Sequence, residues 1–263
     1  MTKRVARTKS TRDAVHDLEQ ALIENGKAFE TPVKRKKWSS HDLKNVKPLT
    51  FNQIEAFQVW FQDDANHLAM LGSAGCGKSF LAIYFAMTEL LRNPEKYHSI
   101  KIVRSIVQTR QIGALPGTVD DKKQPIFEVY NSLFAELFNK EATLKNMVDV
   151  GLVELVDTSY LRGATWNNCI VFVDEINNMN MHEINTVMTR VGKDTRIIIA
   201  GDEKQSDLAV SSNNGRDKYE HLYFMSIIRK ISSINVVEFG IEDIIRSNFC
   251  KQWIVATQTA GTN

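Results

Sequence analysis

Residues 72–79 read Gly72-Ser73-Ala74-Gly75-Cys76-Gly77-Lys78-Ser79 and match G-x-x-x-x-G-K-[ST] at every position. Each residue type in that string does something that binding a phosphate chain demands. Glycines accept backbone angles closed to other residues, so successive amides can turn inward and form a nest for an anion. A helix opening at Ser79 adds the partial positive charge of its N-terminus. The Lys78 ammonium is expected to reach β- and γ-phosphates, and the Ser79 hydroxyl to ligate Mg²⁺. Phe80, next in the chain, is grouped with Gly72 through Ser79 as nucleotide-binding. Taken alone, the string also fits a chance glycine-rich turn.

Two later strings supply what such a loop lacks. The apolar run Cys169-Ile170-Val171-Phe172-Val173 ends in Asp174-Glu175. An acidic residue at the tip of a buried strand can hold magnesium, often through water, which makes Asp174 the metal partner of Ser79. The adjacent Glu175 can orient or deprotonate an attacking water. A third apolar run, 196–200, leads into Gly201-Asp202-Glu203-Lys204-Gln205. Ligands of open α/β sheets bind beyond the carboxyl ends of the strands, where these loops would converge. There Gln205 can bond the γ-phosphate or the water attacking it. An Asp-Glu pair at a strand end and a G-D-x-x-Q string are each weak signals; their order behind the phosphate loop makes them informative.

The elements that must position these groups are legible in the hydrophobic pattern. Short, nearly continuous Ile, Val and Leu runs at 67–71, 99–103, 152–156, 168–173, 196–200 and 234–239 suit strands buried on both faces of a parallel sheet. Helical periodicity falls between them at 51–61, 79–91, 127–137 and 181–191. Alternation of this kind predicts an α/β fold with a mostly parallel, doubly wound sheet. Residues 1–47 read as a basic appendage and linker, with a short helix expected at 13–26 on the shared face of Val15, Leu18, Leu22 and Ile23. Residues 48–263 form the expected catalytic domain.

Composition narrows the functional class. The 263 residues are 43% hydrophobic and 24% charged with a formal net charge of only +2, so the chain as a whole is no polycation. Positive charge is instead clustered, at Lys3, Arg4, Arg7, Lys9 and Arg12 and again at Lys34, Arg35, Lys36 and Lys37. Such runs are either solvated tail or a contact for a phosphate backbone. Three cysteines, Cys76, Cys169 and Cys250, stand far apart in no metal-like spacing, which argues for a reducing compartment. No apolar run approaches the roughly 20 residues that span a bilayer. A cytoplasmic protein is the expectation.

Together, the phosphate loop, Asp174-Glu175 and Gly201-Asp202-x-x-Gln205 resemble superfamily-one helicases, and among them the PhoH family. Gly113-Ala114-Leu115-Pro116-Gly117 with Lys122 and Pro125, Tyr160 through Trp166, and Asp243-Ile244-Ile245-Arg246-Ser247 are similar to further segments of that family. The resemblance covers about residues 49–247. It implies a RecA-like P-loop NTPase core, ATP and Mg²⁺ as ligands, RNA-linked roles, and assembly into a homo-oligomeric ring for which a hexamer is the candidate size. A compact core behind a basic extension looks most like phage-encoded members.

The resemblance also assigns secondary sites. Gln53, on the approach to the first helix, is similar to the helicase glutamine that contacts adenine, against the bland reading of a surface Gln. Arg246 is the arginine-finger candidate. Since the chain is short for two RecA-like domains, a neighbouring subunit is the expected source, and pairing with Asp243 is the structural alternative. Arg104, Arg110, Lys122, Lys123 and Arg162 are expected on loops near the strand tips, where Lys and Arg would hold single-stranded RNA or DNA and Trp166 would stack on a base or pack in the core. The leading expectation is an oligomeric ATPase coupled to single-stranded nucleic acid. A nucleotide-gated binding module with slow turnover is the non-enzymatic alternative, and a nuclease is a third, which no acidic cluster supports.

Overall fold

Strands rich in Ile, Val and Leu on both sides have no polar face to offer solvent, and the computed structural model shows how the chain covers them. It describes residues 38–62, 67–105, 119–140, 143–158, 161, 163, 165–202 and 223–260. Among these residues six strands form one sheet: β1 (His67–Gly72), β2 (Ser99–Arg104), β3 (Val153–Asp157), β4 (Cys169–Val173), β5 (Arg196–Gly201) and β6 (Ile234–Phe239). Their order is β3-β2-β4-β5-β1-β6, and every pairing is parallel. All six lie where the apolar runs predicted them, to within a residue at either end.

Helices with both ends among the described residues include α1 (Phe51–Gln62), α2 (Lys78–Arg92), α3 (Val119–Phe138), α4 (Thr143–Asp149), α5 (Met181–Met188) and α6 (Asn248–Ala260). Side chains alternate across each strand. Leu68, Met70, Ile170, Phe172 and Ile198 accordingly face a core built with α1, α2, α3 and α4. Ala69, Leu71, Val171, Val173, Ile197 and Ile199 face a second core with Ile184 and Val187 of α5 and with Phe224, Met225 and Ile228. Helices on both sides of a parallel sheet make this a doubly wound α/β fold of the P-loop NTPase kind.

Three departures from expectation have local causes. Helix α3 begins eight residues before the predicted 127, because Asp120, Asp121, Lys122, Lys123 and Gln124 carry no apolar period to read. Helix α5 stops at Met188 rather than at 191, because Val191 pairs with Trp166 in a parallel bridge. Trp38, Leu43 and Val46, which patterning groups with the appendage, pack against the first core; Trp38 meets Phe138 edge to face at 5.4 Å.

Candidate active site at the carboxyl edge of the sheet

Strand β1 delivers the phosphate loop and α2 carries it away. Gly72 has φ +117°, and a Cβ there would stand 2.1 Å from the Phe239 carbonyl oxygen of neighbouring β6, so only glycine lets the two backbones approach. Gly77, at φ +79°, makes the left-handed step into α2. The loop carbonyls are bonded to the protein. Lys78 Nζ donates to the oxygens of Gly72 at 2.7 Å and Ser73 at 2.6 Å. The Ile245 amide donates to Gly75 O at 3.2 Å, and Gln53 Nε2 to Cys76 O at 3.0 Å. Oxygens held this way turn the opposite edge of the backbone into a row of donors. Among the described residues no backbone oxygen takes the amides of Ala74, Gly75, Cys76 or Gly77. Burial pushes the Lys78 ammonium below its ordinary pKa, against the pull of Asp202 and Asp174.

The second half of the site comes from β4. Asp174 is buried, and its two oxygens serve different partners. Oδ1 accepts from Ser79 Oγ at 2.9 Å and from the Glu175 amide at 3.1 Å. Oδ2 accepts from the Tyr130 hydroxyl at 2.7 Å and from Arg104 Nη1 at 3.3 Å. Glu175 turns the chain out of the strand at φ +49°, a left-handed conformation that a non-glycine residue adopts at a cost. Its carboxylate is 42% exposed, lies 2.5 Å from Arg104 Nη2 and accepts from Asn178 Nδ2 at 3.2 Å. Burial raises its pKa above the usual carboxylate range, while Arg104 opposes the shift. Behind β5, the Asp202 amide donates to Asn177 Oδ1 at 3.0 Å, tying the third strand tip to the turn that follows β4.

The sequence-predicted residues sort into three groups. Gly72 through Phe80, Asp174, Glu175 and Asp202 meet at one edge of the sheet. Gln53 reaches the same loop but is buried at 2% exposure, its amide spanning Leu49 N and Cys76 O. Arg104 is the last residue of β2 and lies between the two acids. Arg246 is exposed beside its own loop, its Cγ 3.1 Å from where a Cβ on Gly75 would stand; Asp243 is bonded instead by Asn52 Nδ2 at 2.7 Å and the Gly240 amide at 2.9 Å. Lys122 and Lys123 fall within helix α3 rather than on a loop. Trp166 is buried in the second core. Gln205, Arg110, Arg162 and the segment 113–117 lie outside the described residues.

Tyr130 is the site residue that motif reading missed. It sits on α3 at helical spacing with Ile126 and Phe134, so it reads as core, and it does pack at 6.3 Å against Phe172. The available signal was its phenol, since a buried Tyr hydroxyl requires a partner. Burial and the Asp174 carboxylate raise its pKa well above the ordinary value, so it acts as a donor.

The donor set fits magnesium. Ser79 Oγ and Asp174 Oδ1 are hard oxygens within one hydrogen bond of each other. Mg²⁺ prefers such ligands, few from protein and the remainder from water and substrate phosphates. Among the described residues no group of three His, Cys, Asp or Glu side chains stands where it could hold a metal without that help.

Residues 45–258 match the family model described as PhoH-like protein. Protein PhoH of Escherichia coli K12 is 29% identical over 221 residues, covering 82% of this chain and 60% of its own length. Protein PhoH2 of Bacillus subtilis is 28% identical over 193 residues, covering 70% of this chain and 43% of its own. The chain thus spans about half the length of the curated relatives it matches. In structure it is similar to the large terminase of bacteriophage HK97, with a TM-score of 0.51 at 10% identity over 87% of this chain and 50% of that one, a likeness of fold. With four-fifths of its length matched by the family model, and with its phosphate loop, acidic strand tip and third strand tip meeting at one edge, the chain belongs to the PhoH-like protein family.

Proposed function

We propose that this protein hydrolyses ATP with magnesium, as an oligomeric ATPase coupled to single-stranded RNA or DNA. The observation that carries the reading is the 2.9 Å contact of Ser79 with Asp174 directly behind a loop in which the carbonyls of Gly72, Ser73, Gly75 and Cys76 are tied back. Ser79 and Asp174 would hold the cation, which when bound neutralises phosphate charge and aligns the β- and γ-phosphates. The loop amides and the α2 N-terminus bind the phosphate oxygens. Lys78, which shares its ammonium with two carbonyls at present, has a triphosphate oxygen as its better partner, because a charged acceptor makes the stronger bond. Glu175 holds the attacking water in line, and its raised basicity suits it to accept the proton.

Gln53 supports this site by bracing Cys76, and an adenine edge would have to share its amide. Arg246 stands beside its own Gly75, which supports a role in cis. Oligomerisation remains part of the proposal, drawn from the family resemblance; a phosphate-backbone contact by the basic runs at 3–12 and 34–37, and a cytoplasmic location, rest on the sequence's charge and composition alone. The absence of any helix long and apolar enough to cross a membrane among the described residues is compatible with these readings.

One observation favours a second reading, a nucleotide-gated module with slow turnover. The ion pair of Glu175 with Arg104 at 2.5 Å engages the candidate base. ATP turnover measured with and without single-stranded RNA and DNA at fixed salt separates the two: stimulation supports the coupled ATPase, and slow turnover indifferent to nucleic acid supports the module. No turnover together with no nucleotide binding would falsify both. Mixing Lys78→Ala with Arg246→Ala subunits tests the finger, because restored activity requires Arg246 to act in trans.

A further inference from the structure

The acidic pair carries a built-in counter-charge. Strand β2 lies beside β4 with Val103 opposite Val173, and the Asp174 amide donates to Val103 O at 2.9 Å. Arg104 is therefore delivered opposite Asp174 by the sheet register itself. Its guanidinium reaches both carboxylates, with Nη1 3.3 Å from Asp174 Oδ2 and Nη2 2.5 Å from Glu175 Oε1. The fork is four-fifths buried and Asp174 almost wholly so, which leaves little solvent screening between them. Two neighbouring carboxylates and a hydroxyl would by themselves attract a divalent cation. With the guanidinium between them, the pair keeps a single net negative charge.

Magnesium loses its hydration shell reluctantly and needs several anionic oxygens in return. A triphosphate brings that charge; a pair neutralised by half does not. Resting on the reading that Ser79 and Asp174 hold a metal bound to nucleotide, we propose that Arg104 makes cation entry conditional on the nucleotide. Its guanidinium weakens the site for a free divalent ion and leaves it adequate for one already carried by phosphates. Arg104 is a positioning residue in this role. It acts on the cation through the two carboxylates it contacts, and its commitment to them gives it a different task from the nucleic-acid contact that the sequence suggests.

Mn²⁺ titrated into the full chain, with the free-ion signal followed by electron paramagnetic resonance, tests this without turnover. The wild-type protein is expected to hold Mn²⁺ weakly alone and far more tightly with ADP present. Removing one positive charge at this separation in Arg104→Gln should raise nucleotide-free affinity about tenfold or more. Arg104→Lys, which keeps the charge, should stay near wild type. A folded Arg104→Gln protein with unchanged or weaker nucleotide-free affinity overturns the proposal. So does a wild-type protein that binds Mn²⁺ equally well with and without ADP, a result that needs no variant. If Asp174→Asn leaves Mn²⁺ binding with ADP intact, the placement of the metal site itself fails, which is a separate outcome.

Discussion

The Ser79 hydroxyl donates to Asp174 Oδ1 at 2.9 Å, closing a loop of 95 residues in the chain. Ser79, at the start of α2, follows β1, and Asp174 follows β4; those strands are not neighbours, since β5 pairs with both and holds them one strand apart. That strand order brings the phosphate loop and the carboxylate to the same edge of the sheet. Changing Asp174 to Asn should therefore remove the magnesium-dependent part of nucleotide affinity and lower turnover by about 10²-fold or more, in line with losing a preorganised electrostatic group. Nucleotide titration with and without Mg²⁺ measures the first effect and phosphate release the second.

Lys78 and Glu175 should separate binding from chemistry. Lys78→Ala is expected to weaken nucleotide binding and abolish hydrolysis. Glu175→Gln should bind nucleotide nearly as well as wild type but turn it over about 10²–10⁴-fold more slowly, the range for a lost general base. A fluorescent nucleotide reports affinity and a coupled phosphate assay the rate. Comparable turnover by Glu175→Gln and wild type would remove Glu175 from the chemistry.

Tyr130→Phe keeps the ring packed on Phe172 and deletes the donor to Asp174 Oδ2. Losing a hydrogen bond to a buried carboxylate should cost about 1.5–3 kcal/mol. Thermal unfolding should fall by roughly 2–4 °C per kcal/mol for a protein of this size. An unchanged melting temperature would mean that the phenol contributes nothing net.

At the opposite end of β5, Arg196 is buried with its guanidinium 3.5 Å above the Trp60 ring; Nη2 donates to Trp60 O at 2.9 Å, and Nη1 lies 3.9 Å from Glu89. Arg196→Ala should destabilise the fold by about 3–5 kcal/mol, because it removes the cation beside a buried Glu89 that keeps, among the described residues, only the neutral Asn93 amide at 2.6 Å, and empties the site over Trp60. Urea unfolding measures this. Nucleotide affinity of the folded variant should not change, since Arg196 opens the strand whose far end bears the site.

Burial pushes the Cys76 thiol up to about 11. Alkylation requires the thiolate. An ordinary thiol is half ionised near pH ~8.5, and its reactivity levels off about one pH unit above that. Cys76, still mostly protonated where an ordinary thiol has levelled off, should keep gaining reactivity as pH rises toward about 11. Near neutral pH the half-buried Cys250 should be labelled first, ahead of buried Cys76 and Cys169. Peptide mapping after timed alkylation checks the order, and early modification of Cys76 would contradict its burial.

What could be read from the sequence was local. The glycines of the phosphate loop, the acidic pair ending an apolar run and the six strands each announce themselves through residue type or period, which neighbouring positions decide. Helix α3 was legible only from residue 127 onward, beside Ile126, the first residue of its buried face among those described. Tyr130 was visible as core and invisible as a partner of Asp174, because helical spacing says which face is buried and not which strand tip lies beneath it.

The sequence by itself determined that a phosphate loop, an acidic strand tip and a parallel sheet must be present. Only the tertiary structure decided that β5 separates β1 from β4, that Arg104 serves the two acids, and that Arg246 lies against its own Gly75. Backbone conformation and burial follow from short-range sterics and hydrophobic period. The meeting of charges from distant strands depends on register and strand order, which are set by packing the whole sheet at once.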